Sequence, residues 1–152
     1  MGLTKQWVSA LGAVLLALSA VSVQAETPKQ GGTLVWSIGT TPRHLNPAVQ
    51  SGIATGAPGA QLFATLVRFD DKWNAHPYLA KSWQTSTDGL AVTFNLVEGA
   101  TFHDGTPITS KDVAFSIKTI QANHPFKTMF RAVSSVETPS PNTVVFKLSK
   151  PH

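Results

Sequence analysis

The run Thr40-Thr41-Pro42-Arg43-His44-Leu45-Asn46-Pro47 gathers hydroxyls, a guanidinium, an imidazole and a carboxamide between prolines. Groups of this kind can contact a polar solute. Arg43 carries a planar fork of donors that matches a carboxylate, and Thr41 carries a hydroxyl suited to a backbone group of a ligand. His44 adds a second polar ring. The bland alternative is a solvated loop that only guides the chain into a following helix, and the residues leave both readings open.

Other clusters carry less. His103-Asp104-Gly105 places an imidazole beside a carboxylate, which invites metal or acid–base chemistry. A tight turn is the stronger reading, because Gly105 and Pro107 punctuate it and Asp104 can accept from its own backbone two residues on. Asp70-Asp71 reads as a solvated turn rather than a catalytic carboxylate pair. The histidines at 44, 76, 103, 124 and 152 show no zinc-ligand spacing. There is no cysteine, no nucleophile elbow and no phosphate-cradling glycine loop, and Gly31-Gly32 has no third glycine at nucleotide-binding spacing. No catalytic residue, metal or cofactor is expected. Trp36, Trp73 and Trp83 offer faces for stacking on a ligand, with Trp83 expected in the core.

The elements that must position the Thr41–Asn46 run follow from periodicity. Thr33–Ile38 reads as a β-strand with Leu34, Trp36 and Ile38 on one face. Pro42 and Pro47 force an irregular loop after it. A short helix is expected within Gly56–Leu66, then a brief strand Val67–Phe69 closed by Asp70-Asp71. Ala80–Gln84 and Val92–Leu96 flank Asp88-Gly89, a hairpin signal. Thr109-Ser110-Lys111-Asp112 resembles a capping box, and Val113, Ile117 and Ile120 continue it as an amphipathic helix that ends at Asn123–Pro125. Ala132–Glu137 and Thr143–Leu148 read as a last hairpin. The order is mixed α and β.

Bulk properties narrow the class. The chain has 152 residues, 42% hydrophobic and 13% charged, with a formal charge of +4. It is too apolar for disorder and too sparsely charged for a nucleic-acid platform, so no nucleic-acid partner is expected. Lys5, the uncharged run from Trp7 to Val23 and Val23-Gln24-Ala25 have the layout of a cleavable signal peptide over residues 1–25, and Glu26 would begin the mature protein. With no cysteine to lipidate, a free periplasmic protein is expected rather than an anchored one.

The composite Leu79-Ala80-Lys81-Ser82-Trp83, Asp88-Gly89-Leu90, Val92–Leu96, Gly99, Phe102-His103-Asp104-Gly105-Thr106-Pro107-Ile108-Thr109 and Asp112-Val113 resembles the signature region of extracellular solute-binding proteins of family 5. These are the peptide- and nickel-type receptors of ABC importers. The resemblance runs from Gly31 to Lys150. It implies an α/β fold of the periplasmic binding protein type II, here an incomplete first lobe with an inserted subdomain. Residues 31–70 would begin the first lobe and 71–152 would form the extra subdomain, so residues 26–152 are expected to be the N-terminal part of a longer receptor. The loop bearing Thr41, Arg43 and His44 would face the interdomain cleft.

The function implied is capture of a small solute, with di- and oligopeptides favoured. Nickel chelates, opines, haem and oligosaccharides remain within the same fold. Delivery would be to ABC permease subunits at the inner membrane, by a monomer that is not an enzyme. Two readings from other classes stand beside it: a secreted hydrolase with catalytic residues beyond His152, and a nonfunctional truncated fragment.

Overall fold

The computed structural model describes residues 30–151; the expected signal peptide over residues 1–25, and His152, lie outside the described residues. The chain divides into two units, Met1–Trp36 and Ser37–His152. In the first, residues 30–36 have no regular secondary structure, and Leu34, Val35 and Trp36 are exposed. The strand expected over Thr33–Ile38 is therefore not formed. The sequence alternates suitably, but no ladder among the described residues includes this run, and an unpaired strand leaves its backbone groups to water.

The second unit opens with an irregular stretch and then helix α1 (Ile53–Leu62). The helix starts and ends earlier than the apolar spacing within 56–66 predicts. Gly52, at φ 104°, takes the capping position, and its carbonyl accepts from the Gly56 N–H at 2.8 Å. At the other end Phe63 turns extended while its N–H reaches the Gly59 carbonyl at 2.9 Å. Gly56, Pro58 and Gly59 are poor helix formers, so packing on one face must hold α1. That face is Thr55 and Gly59, four residues apart and both buried.

Strands β1 (Val67–Phe69) and β2 (Ala75–Pro77) form a separate antiparallel pair, with Phe69 opposite Ala75. Ala-His-Pro has little β preference, and the sequence gives no warning of β2. The Asp70 carboxylate organises the turn instead. Its Oδ1 accepts from the backbone N–H of Lys72 at 2.9 Å and of Asn74 at 2.8 Å. Its Oδ2 meets Asn74 Nδ2 and His76 Nε2, each at 3.0 Å. The loop this builds places Trp73 at φ 64°, a left-handed conformation uncommon for a bulky residue. The indole is 81% exposed and lies 6.1 Å from the Phe69 ring between centroids.

Strands β3 (Ala80–Thr85), β4 (Ala91–Leu96), β5 (Val133–Ser140) and β6 (Thr143–Leu148) make an antiparallel sheet in the order β3–β4–β6–β5. The β3–β4 turn forms at Asp88-Gly89 as expected. Asp88 Oδ1 accepts from Ser86 Oγ at 2.6 Å and from the Leu90 N–H at 2.9 Å, and Gly89 supplies the positive φ of 68°.

Helix α2 (Ser110–Asn123) connects β4 to β5 and packs on β5 and β6. Its capping box is formed: Asp112 Oδ2 accepts from the Thr109 N–H at 2.7 Å and from Thr109 Oγ1 at 2.9 Å. Ala80, Leu96, Val113 and Val144 are the core, with Leu66, Leu79, Phe94, Val136 and Phe146 against it. Trp83 is not in that core. It stays 37% exposed, because β3 is an edge strand away from the part of the sheet that α2 covers. Its ring leans instead on its cross-strand partner Phe94, at 6.5 Å between centroids.

Candidate functional site

The loop before α1 carries Thr41, Arg43 and His44, and all three are exposed. The loop is fixed by short-range bonds. The Asn46 N–H donates to His44 Nδ1 at 3.2 Å, and the Ala48 N–H donates to Asn46 Oδ1 at 2.9 Å. With Nδ1 accepting, Nε2 is the donor nitrogen of the His44 ring. Arg43 presents five N–H donors on the same segment. Among the described residues no hydrogen bond joins the side chains of Thr41, Arg43 and His44 to one another. The segment is thus a row of exposed polar groups with the chemistry to bind a carboxylate or amide.

Two contacts tie this row to α1. Thr55 Oγ1, on a residue 1% exposed, donates to the His44 carbonyl at 3.2 Å. The Pro47 ring lies against Gly59 so closely that a Cβ there would sit 2.9 Å from Pro47 Cβ and Cγ. Neither contact is visible in local sequence pattern. The only hint is Gly59 inside a helix, where a glycine is unfavourable unless something approaches its backbone.

An open depression of 530 Å³ is lined by Thr128, Met129, Arg131, Ala132, Ser149 and Lys150. A shallower one of 260 Å³ lies between α2 and β5, lined by Lys111, Phe115, Lys118 and neighbours. Neither includes Thr41, Arg43 or His44, which are exposed. Among the described residues no three of His, Cys, Asp and Glu converge on a point where a metal ion could sit.

The other sequence candidates resolve as turns. Asp104 Oδ1 accepts from the Thr106 N–H at 2.9 Å, Gly105 adopts φ 86°, and Thr101 bridges to Pro107. The Asp104 carboxyl is lowered first by the backbone N–H of Thr106 and then by the Thr106 side chain, as a turn carboxylate should be. The Asp70 carboxyl is held well below the usual range, above all by His76 and then by Asn74 and Lys72. Asp70 and Asp71 are no catalytic pair, since Asp70 spends both oxygens on its own turn.

Residues 74–152 match the sequence profile of the bacterial extracellular solute-binding proteins, family 5 Middle. A putative ABC transporter peptide-binding protein of Brucella ovis is 42% identical over 112 residues, which is 71% of this chain and 21% of that protein. The chain therefore spans about a fifth of the length of the curated relatives it matches first. Among solved structures, the substrate-binding protein CtaP of Listeria monocytogenes superposes with a TM-score of 0.71 at 32% identity, over 81% of this chain and 26% of that one. NikZ of Campylobacter jejuni, in complex with Ni(L-His), gives a TM-score of 0.57 at 36% identity, over 60% of this chain and 19% of that one. The fold is mixed α/β and corresponds to a part of the type II periplasmic binding protein fold. This protein belongs to the bacterial extracellular solute-binding proteins, family 5.

Proposed function

We propose that the chain is the N-terminal part of the substrate-binding component of an ABC importer, capturing short peptides in an interdomain cleft. The family match over residues 74–152 carries this reading. The similarity to a Brucella protein described as peptide-binding favours peptides as the solute. In this reading residues 31–70 begin the first lobe, residues 71–152 form the inserted subdomain, and residues 1–25 are a signal peptide that sends the protein to the periplasm. Closure of two lobes on the solute would present the loaded form to permease subunits in the inner membrane.

Thr41, Arg43 and His44 are the solute-contacting groups on this part of the receptor. Arg43 pairs with a carboxylate, His44 donates from Nε2, and Thr41 takes a backbone amide. The protein binds and releases its solute unchanged. A second reading, a metal–histidine chelate as solute, is favoured by the similarity to NikZ with its Ni(L-His).

A thermal-shift panel on the full-length protein separates the two. Tri-alanine and tetra-alanine raise the melting temperature under the peptide reading, and Ni(L-His) raises it under the chelate reading. No shift with any member of either class would remove both.

A further inference from the structure

Thr41, Arg43 and His44 are exposed, yet a solute contact needs side chains held to within about half an ångström by supporting groups. The support comes from α1, and it takes two independent forms. Thr55 is 1% exposed and gives its hydroxyl to the His44 carbonyl at 3.2 Å, which fixes the backbone at His44 itself. Gly59 lies one turn further along the same helix face and receives the Pro47 ring. Pro47 cannot swing aside as a flexible side chain would, because its ring is closed on the backbone. The segment is thereby pinned at His44 and at Pro47, with Asn46 bonded to His44 between them.

Gly59 is the more telling of the two. Alanine is the better helix former at an interior position, and α1 is already burdened by Gly56 and Pro58. A methyl group at 59 would nonetheless meet Pro47 at 2.9 Å, closer than non-bonded carbons tolerate. Close approach of the loop, rather than any need of the helix, accounts for the glycine.

We infer that Thr55 and Gly59 are positioning residues that set the geometry of the solute-contacting segment Thr41–His44. The inference rests on the proposed reading of that segment as a solute contact. Neither residue touches the solute. Thr55 fixes one backbone carbonyl, and Gly59 sets how near the loop approaches α1.

The test uses the full-length protein and its T55V, T55S, G59A, R43A and R43A/G59A variants. Two measurements are made on each. Amide hydrogen exchange at Asn46 and Ala48 reports the loop, with the Gly56 and Phe63 amides as the control for α1. Calorimetric titration with tri-alanine and with Ni(L-His) reports affinity. G59A and T55V are expected to speed exchange at Asn46 and Ala48 while Gly56 and Phe63 stay protected. They weaken the bound probe about three- to tenfold, the scale of one misplaced polar contact. T55S, which keeps the hydroxyl, behaves as the wild type. R43A/G59A loses less than the sum of the two single losses, because G59A acts in part through the segment that bears Arg43.

Unchanged exchange at Asn46 and Ala48 in both G59A and T55V overturns the inference, as do losses that add fully in R43A/G59A. Wild-type affinity in R43A, or no binding of either probe by the wild type, instead removes the solute-contact reading. The exchange measurement then decides the positioning role by itself.

Discussion

Ser110 Oγ donates to the Ser140 carbonyl oxygen at 2.6 Å, joining the first residue of α2 to the last residue of β5 across thirty positions of sequence. The Ser110 N–H adds a second tie, to the Pro141 carbonyl at 2.7 Å. Ser110 is 1% exposed, so its hydroxyl is a buried polar group with its hydrogen bond made. The S110A variant removes the donor and leaves the Ser140 carbonyl without it. Its expected cost is about 0.5–1.5 kcal/mol in chemical denaturation, the net range for one intramolecular hydrogen bond whose remaining partner water can reach.

Leu96 sits at the junction of β4 with the α2 packing layer and has no exposed surface. The L96A variant should lose about 2–5 kcal/mol, because the cavity it leaves is walled by Ala80, Val113 and Val144. Urea denaturation checks this, with an exposed β5 substitution such as S135A expected within about 0.5 kcal/mol of wild type.

The Asp70 turn should weaken in acid. Its carboxyl is lowered by His76 first and by Asn74 and Lys72 after it, so the folded turn binds the proton less readily than the unfolded chain does. A depressed carboxyl contributes stability that is in full force above the ordinary aspartate value of about 3.9 and is lost as pH falls toward the folded value. Protection of the Asn74 amide against hydrogen exchange is therefore expected to be level from neutral pH to about pH 4 and to fall below it. In D70N one oxygen becomes a donor facing the donors of Asn74 and His76. Protection in D70N should be lower at neutral pH, and its difference from wild type should narrow in acid.

Trp73 pays a conformational penalty for its φ of 64°. Glycine removes that penalty, which is about 1–2 kcal/mol for an ordinary residue, at the loss of an indole that is largely exposed and touches Phe69. The W73G variant is accordingly expected to melt at or above the wild-type temperature. A clear fall in melting temperature would mean that the Phe69–Trp73 contact outweighs the backbone strain.

Elements written in local chemistry were legible in the sequence. The Asp88-Gly89 turn, the Thr109–Asp112 capping box and the Asp104-Gly105 turn each place their bonds within five residues, and each forms as expected. The two hairpins of the sheet follow the same logic, since alternation and turn residues agree. What depends on distant partners was not legible. Thr33–Ile38 alternates like a strand but finds no ladder among the described residues. β2 forms from residues with little β preference because Asp70 gathers Asn74 and His76 around it. Trp83 is a large aromatic in a good strand, but its strand is an edge, so it is half-covered. The candidate segment divides in the same way. Thr41, Arg43 and His44 stand out by residue type, whereas their support at Thr55 and Gly59 shows only in three dimensions.

Under the proposed function the protein carries a small solute without changing it. Native mass spectrometry of the full-length protein recovered from the cell envelope tests this most directly. A one-to-one noncovalent complex with short peptides is expected, released with their masses unchanged on denaturation, and that occupancy is lost in R43A. A protein recovered without solute that also takes up none of an added peptide mixture would rule out solute capture, and one that returns the peptides cleaved would mean that it is a hydrolase.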